Sequence, residues 1–143
     1  MGLLKMRADM EPIAFKSTRN IRLTNRDGTE DEIPGITSTH FINSEGIDKK
    51  TLLEDIKEFK SISKALKKQG KDWRRFTTGI NSRLPTLDER KSLKIGLYDP
   101  VIETSGLNID CNRIDLMKPI ELTKSVFPGH LWGLVFYFHQ NEH

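Results

Sequence analysis

Cysteine is almost absent from this chain. Its one copy, Cys111, cannot form an internal disulfide, which removes the class of small oxidised domains and favours an intracellular setting. Cys111 closes the alternating run Leu107, Ile109, Cys111 and reads as a buried small hydrophobe. Long apolar runs are missing too. The longest, Leu131 to Phe138, falls far short of the roughly 20 residues that cross a bilayer. Lys5 and Arg7 interrupt the N-terminal apolar cluster, so no secretory signal is readable. Gly2 is followed by Met6 where myristoylation wants Ser or Thr.

Catalytic signatures are equally scarce. There is no Gly-rich phosphate loop, nucleophile elbow, H-E-x-x-H or paired C-x-x-C. The four histidines are His40, His130, His139 and His143. His139 and His143 have the spacing of a helical metal pair, but they follow a strand-like run in which that spacing does not converge. Glu103, Asp110 and Asp115 read as solvent-facing carboxylates on strands. No catalytic, cofactor-binding or metal-ligating residue is assigned, and the expectation is a protein without enzymatic activity or cofactor.

What is present is a modestly basic chain of 143 residues with 36% hydrophobic and 30% charged residues and a net charge of +3. These values suit a globular protein that prefers acidic partners. A domain of this size buries about 70% of its unfolded surface, enough for a real core. Residues 1–10 read as a flexible tail and 11–143 as one domain.

The richest stretch runs from Ile47 to Phe76. Asp48 suits an N-cap, and Ile47 with Leu52 suits a hydrophobic staple. Leu52, Ile56, Phe59, Ile62, Ser63 and Leu66 follow helical spacing, and Gly70 stands where a helix stops. The pattern predicts one long amphipathic helix over 49–69 with Phe59 and Leu66 buried. Lys60, Lys64, Lys67, Lys68, Lys71, Arg74 and Arg75 oppose Asp72 alone, a local net of +6, so the rest of the chain sums to −3. Bases near a helix C-terminus suit its dipole, and such a run is often only a solvated face. With Trp73 among them, the same residues predict one exposed surface for phosphate, on nucleic acid or lipid headgroups.

The remaining elements read as β. Residues 19–25 alternate before the turn Asn25-Arg26-Asp27-Gly28, and residues 36–42 are β-branched. Glu30 to Gly35 and Thr77 to Arg90 read as irregular, apart from a helical start at Thr86. Leu93, Ile95 and Leu97 suggest a strand, as do Val101-Ile102 and 107–111, which Ser105-Gly106 divides. Residues 131–138 suggest a strand covered on both faces, with Trp132 and Tyr137 as anchors for self-association. The expected fold is α+β, a mostly antiparallel sheet packed against one long helix.

Ile95-Gly96-Leu97-Tyr98, Ile102-Glu103 and Leu131-Trp132-Gly133-Leu134-Val135 together resemble the C-terminal half of rhabdovirus matrix proteins, over residues 94–136. That family links a ribonucleoprotein to the inner face of a membrane, and its proline-rich P-P-x-Y motif has no counterpart here. The resemblance implies a self-associating assembly protein contacting anionic lipid or nucleoprotein. The alternative is a nucleic-acid-binding regulatory domain that places the same basic residues on RNA or DNA.

Overall fold

The structure is a computed structural model that describes residues 12–112, 117–135 and 137. The expected N-terminal tail, Asp115, Phe136, Phe138, His139 and His143 lie outside the described residues.

Five antiparallel strands form one sheet: β1 (Ile13–Thr24), β2 (Glu30–Ile42), β3 (Trp73–Arg83), β4 (Val101–Asp110) and β5 (Pro119–Pro128). Their spatial order is β1-β2-β5-β4-β3. The β1–β2 turn forms where Gly28 takes φ +85° and its amide bonds the Asn25 carbonyl at 3.0 Å. Pro34-Gly35, read as loop, lies inside β2. There the register slips from Arg19↔Ile36 to Asn20↔Pro34, leaving Gly35 as the extra residue of a bulge. Glycine is required because any side chain would press on Ile21.

The single long helix is corrected to two. Helix α1 (Lys49–Phe59) and helix α2 (Ile62–Lys68) are separated by Lys60, which adopts a left-handed backbone with φ 50°. Ser61 then caps α2, its hydroxyl accepting from the Lys64 amide at 3.2 Å. A serine capable of restarting a helix therefore outweighed the apolar periodicity running past it. Asp48 caps α1 by accepting from the Lys50 amide at 3.1 Å. The far end stops at Gly70 (φ +78°). Two contacts fold α2 back on α1. Lys68 Nζ reaches the buried Asp55 carboxylate at 2.9 Å, and Gln69 clasps Asp48, accepting from its amide at 3.0 Å and donating to its carbonyl at 3.1 Å.

A third helix, α3 (Leu87–Leu93), follows the helical start expected at Thr86 but runs on to Leu93, where a strand was expected. Thr86 and Glu89 form a complete capping box at its start. Leu93 thus ends a helix, and Ile95 and Leu97 follow in non-strand chain.

The main core joins Ile13, Ile42 and Ile120 of the sheet to Leu52, Ala65 and Leu66 of the helices. Leu66 is fully buried, whereas Phe59 is only half-buried. A second cluster of Leu93, Val101 and Val126 lies under α3. Strand alternation puts α3 on the opposite face of the sheet from α1 and α2. On that face Arg83 binds Glu89 through both carboxylate oxygens, at 2.6 and 2.8 Å, and Glu103 at 2.7 Å. This ties β3, α3 and β4 together.

Leu66→Ala should cost about 2–5 kcal/mol, read from urea unfolding. The Arg83 guanidinium, aided by the Thr86 amide, holds the Glu89 carboxyl down at about 2 against an ordinary 4.5. A depressed acid stabilises the fold above its unfolded value and loses that contribution as pH falls toward its folded one. Unfolding followed between pH 5 and 2 should show this acid-labile stability, and Glu89→Gln should flatten that limb.

Candidate functional site

The chain's basic stretch does not stay together once folded. Lys60 sits at the left-handed corner, and Lys64 and Lys67 are exposed on α2. Lys68 is drawn to Asp55 and lies 5.4 Å from the Phe59 ring centroid. Lys71 lies beside Gly46. Trp73, Arg74 and Arg75 belong to β3 rather than to a helix end. Trp73 packs on the main core. Arg74 and Arg75, being adjacent on a strand, point to opposite faces.

The face of the sheet beneath α1 and α2 carries a cleft of about 490 Å³. Ile56, Lys60, Ser61, Ile62 and Ser63 of the α1–α2 corner form its roof. Ser17 and Arg19 of β1, His40 of β2, Glu121 and Thr123 of β5, and Trp73 and Arg75 of β3 form its floor and walls. A second hollow of about 390 Å³ shares Arg75 and Thr123 and continues toward Ser125, Ile80 and Leu134. The two make one trough across the strands.

The centre of the floor is polar and buried. Glu121 is 5% exposed. Its Oε2 is 3.0 Å from His40 Nδ1, and its Oε1 accepts from Asn108 Nδ2 at 2.8 Å. Register explains the grouping, because Glu121 is opposite Asn108 on β4 and two residue pairs along from the His40–Thr123 level on β2, hence on the same face. Asn108 is fully buried and its Oδ1 has no hydrogen-bond partner. Beside this group Arg75 donates to Thr123 Oγ1 at 3.3 Å. Its guanidinium lies over Gly106, where a Cβ would overlap it. Glycine at this position is therefore what lets Arg75 lie flat on the floor. Among the described residues no group of three or more His, Cys, Asp or Glu is arranged to hold a metal.

The C-terminal segment does not form the expected strand over 131–135. Trp132 Nε1 donates to the Gly35 carbonyl at the β2 bulge at 2.9 Å, and its ring stands 5.5 Å from Phe127. Trp132 is thus held against the sheet, while Tyr137 is 84% exposed. Sequence reasoning placed Lys60, Trp73 and Arg75 at a binding surface, and all three line the cleft. It gave no role to His40, Asn108, Gly106, Glu121 or Thr123, and β5 carried no strand expectation. The alternation Ile120, Leu122 and the pair Val126-Phe127 were the available signals.

No family model and no curated protein matches the chain. Solved structures do. The effector domain of PhnF from Mycobacterium smegmatis matches with a TM-score of 0.63 at 15% identity, over 90% of this chain and 89% of that one. The C-terminal domain of the histidine utilization repressor from Pseudomonas syringae matches with a TM-score of 0.61 at 15% identity, over 90% of this chain and all of that one. A GntR-family transcriptional regulator from Bacillus cereus matches with a TM-score of 0.57 at 9% identity, over 88% of this chain and 99% of that one. These likenesses establish the fold and overturn the matrix-protein resemblance. Of the segments that carried it, Ile95 to Tyr98 and Leu131 to Val135 form no strand here, and Ile102-Glu103 lies in β4.

Glu121→Ala should strand the Asn108 amide and the His40 ring, costing about 1–3 kcal/mol, measurable by chemical unfolding. Gly106→Ala should displace the Arg75 side chain into solvent at a smaller cost, because the clashing group is the flexible end of a long side chain.

Proposed function

We propose that this chain is a non-enzymatic effector domain, a regulatory module that binds a small polar molecule in the cleft between the α1–α2 corner and the sheet. The observation that carries the reading is the cleft itself. Its volume of about 490 Å³ falls in the range of small-molecule sites, and a few convergent polar groups in a partly apolar hollow are what such sites share. A fold alone does not assign a function. The fold's occurrence in an effector domain and in transcriptional regulators supports the reading, and the site gives it chemical content. An intracellular setting suits a module of this kind. No helix among the described residues is long and apolar enough to cross a membrane.

The reading keeps the regulatory half of the nucleic-acid alternative and leaves out direct contact with nucleic acid. Lys64 and Lys67 lie on α2, and Arg74 and Arg75 are adjacent on β3 and so point to opposite faces, which divides the basic residues between the two sides of the sheet.

Binding to the folded state alone stabilises it by about 2.7 kcal/mol at a hundredfold excess over Kd. A thermal-shift screen of small metabolites should therefore contain compounds that raise Tm by several degrees. Ser17→Trp, which fills the cleft from the exposed side of β1, should abolish those shifts. A screen in which no compound raises Tm, or in which Ser17→Trp leaves every shift intact, would overturn the proposal.

A further inference from the structure

We infer that the cleft takes a small organic oxyanion that also carries a hydroxyl or amino group about one strand pleat from its acid group. The inference rests on the cleft being a ligand site, and adds the class of ligand.

The charge balance of the cleft comes first. Arg19, Lys60 and Arg75 line it, against one carboxylate, Glu121. None of the three cations takes part in an ion pair among the described residues. Arg83, on the opposite face, shows the contrast: it is neutralised by both Glu89 and Glu103. Arg75 is held in place by Gly106 and Thr123, but its single hydrogen bond leaves most of its five N–H donors free. A planar guanidinium fixed on a floor without a carboxylate partner matches an oxyanion, which it can bind through two parallel hydrogen bonds.

The neighbouring end has the opposite need. Both oxygens of Glu121 are engaged, one by His40 and one by Asn108. In the tautomer that donates from Nδ1 to the carboxylate, His40 Nε2 is an acceptor. Beneath it, Asn108 Oδ1 is buried beside Glu121 with no hydrogen-bond partner. This end therefore calls for a donor. A neutral or purely anionic ligand would satisfy only one of the two ends.

Strand geometry sets their separation. Thr123, which receives Arg75, and Glu121 are two residues apart on β5, about 7 Å along the strand and on the same face. A compound bridging the two needs only a short carbon skeleton.

The test uses the full chain and four probes at equal concentration: ribose 5-phosphate, gluconate, ribose and ethyl phosphate. The two hydroxylated acids should bind roughly tenfold or more tightly than ribose, which lacks the acid, and ethyl phosphate, which lacks the hydroxyls. Comparing phosphate with carboxylate shows which oxyanion the guanidinium prefers. Arg75→Ala should remove the advantage of the acids over ribose, whereas Arg74→Ala, on the opposite face, should leave it unchanged. His40→Ala should remove the advantage of ribose 5-phosphate over ethyl phosphate. Ribose binding as well as the acids, an unaltered preference in Arg75→Ala, or no binding of either hydroxylated acid overturns the inference. If a neutral or cationic compound instead raises Tm and Ser17→Trp blocks it, the effector reading stands without this ligand class.

Discussion

Lys60 holds a left-handed backbone, and what stands above the sheet depends on that corner. Had the helix continued through residue 60, its second half would have projected away from the strands and left Leu66 without a partner. A left-handed residue other than glycine costs roughly 1–2 kcal/mol. Burial of Ala65 and Leu66 against Ile13 and Ile42 offsets it, together with the Ser61 cap and the Asp55–Lys68 pair. The same corner supplies the roof of the cleft. Core and site thus share one backbone decision.

Under that roof the sheet is polar where most sheets are aliphatic. Ser17, His40, Thr123, Ser125 and Glu121 replace the expected branched residues on this face. Sealed beneath a helix layer without partners, such groups would cost several kcal/mol. Here they are arranged to satisfy one another in part, as in Ser38–Ser125 and His40–Glu121–Asn108, while the cleft keeps the remainder within reach of solvent or solute. The opposite face is built differently. Leu93 and Val126 pack there, and Arg83 is closed off by its two acids. The α1–α2 face thus holds both the main core and the polar cleft.

Local signals in the sequence were read correctly where a short motif decides the structure. The Asp48 cap, the Asn25–Gly28 turn and the stop at Gly70 all depend on residues within a few positions of each other. The reading failed where two local signals competed. Ser61 against the apolar stripe, and the Thr86–Glu89 capping box against the alternation of Leu93, Ile95 and Leu97, were each settled by the cap. Charge groups Arg74-Arg75 with the helix, whereas the β-branched Thr77, Thr78 and Ile80 that follow carry them into β3. The polar floor was illegible for a different reason. His40 and Glu121 are 81 positions apart, and no periodicity within either segment announces their meeting. Only the pairing of β2 with β5 brings them together.

That pairing has a kinetic side. β5 is the last of the described strands in the chain, yet it occupies the middle of the sheet, between β2 and β4. The β1–β2 hairpin can form early, but the edge of β2 stays open until β5, more than 75 residues further along, is available. Contacts of such long sequence separation slow folding, because loop-closure entropy is lost before any pairing compensates for it. During synthesis the hairpin would wait, edge exposed, for a strand still inside the ribosome. The mixed charges on β1 and β2, from Lys16 and Arg19 to Glu30 and Glu32, are what would keep that waiting edge from joining another chain.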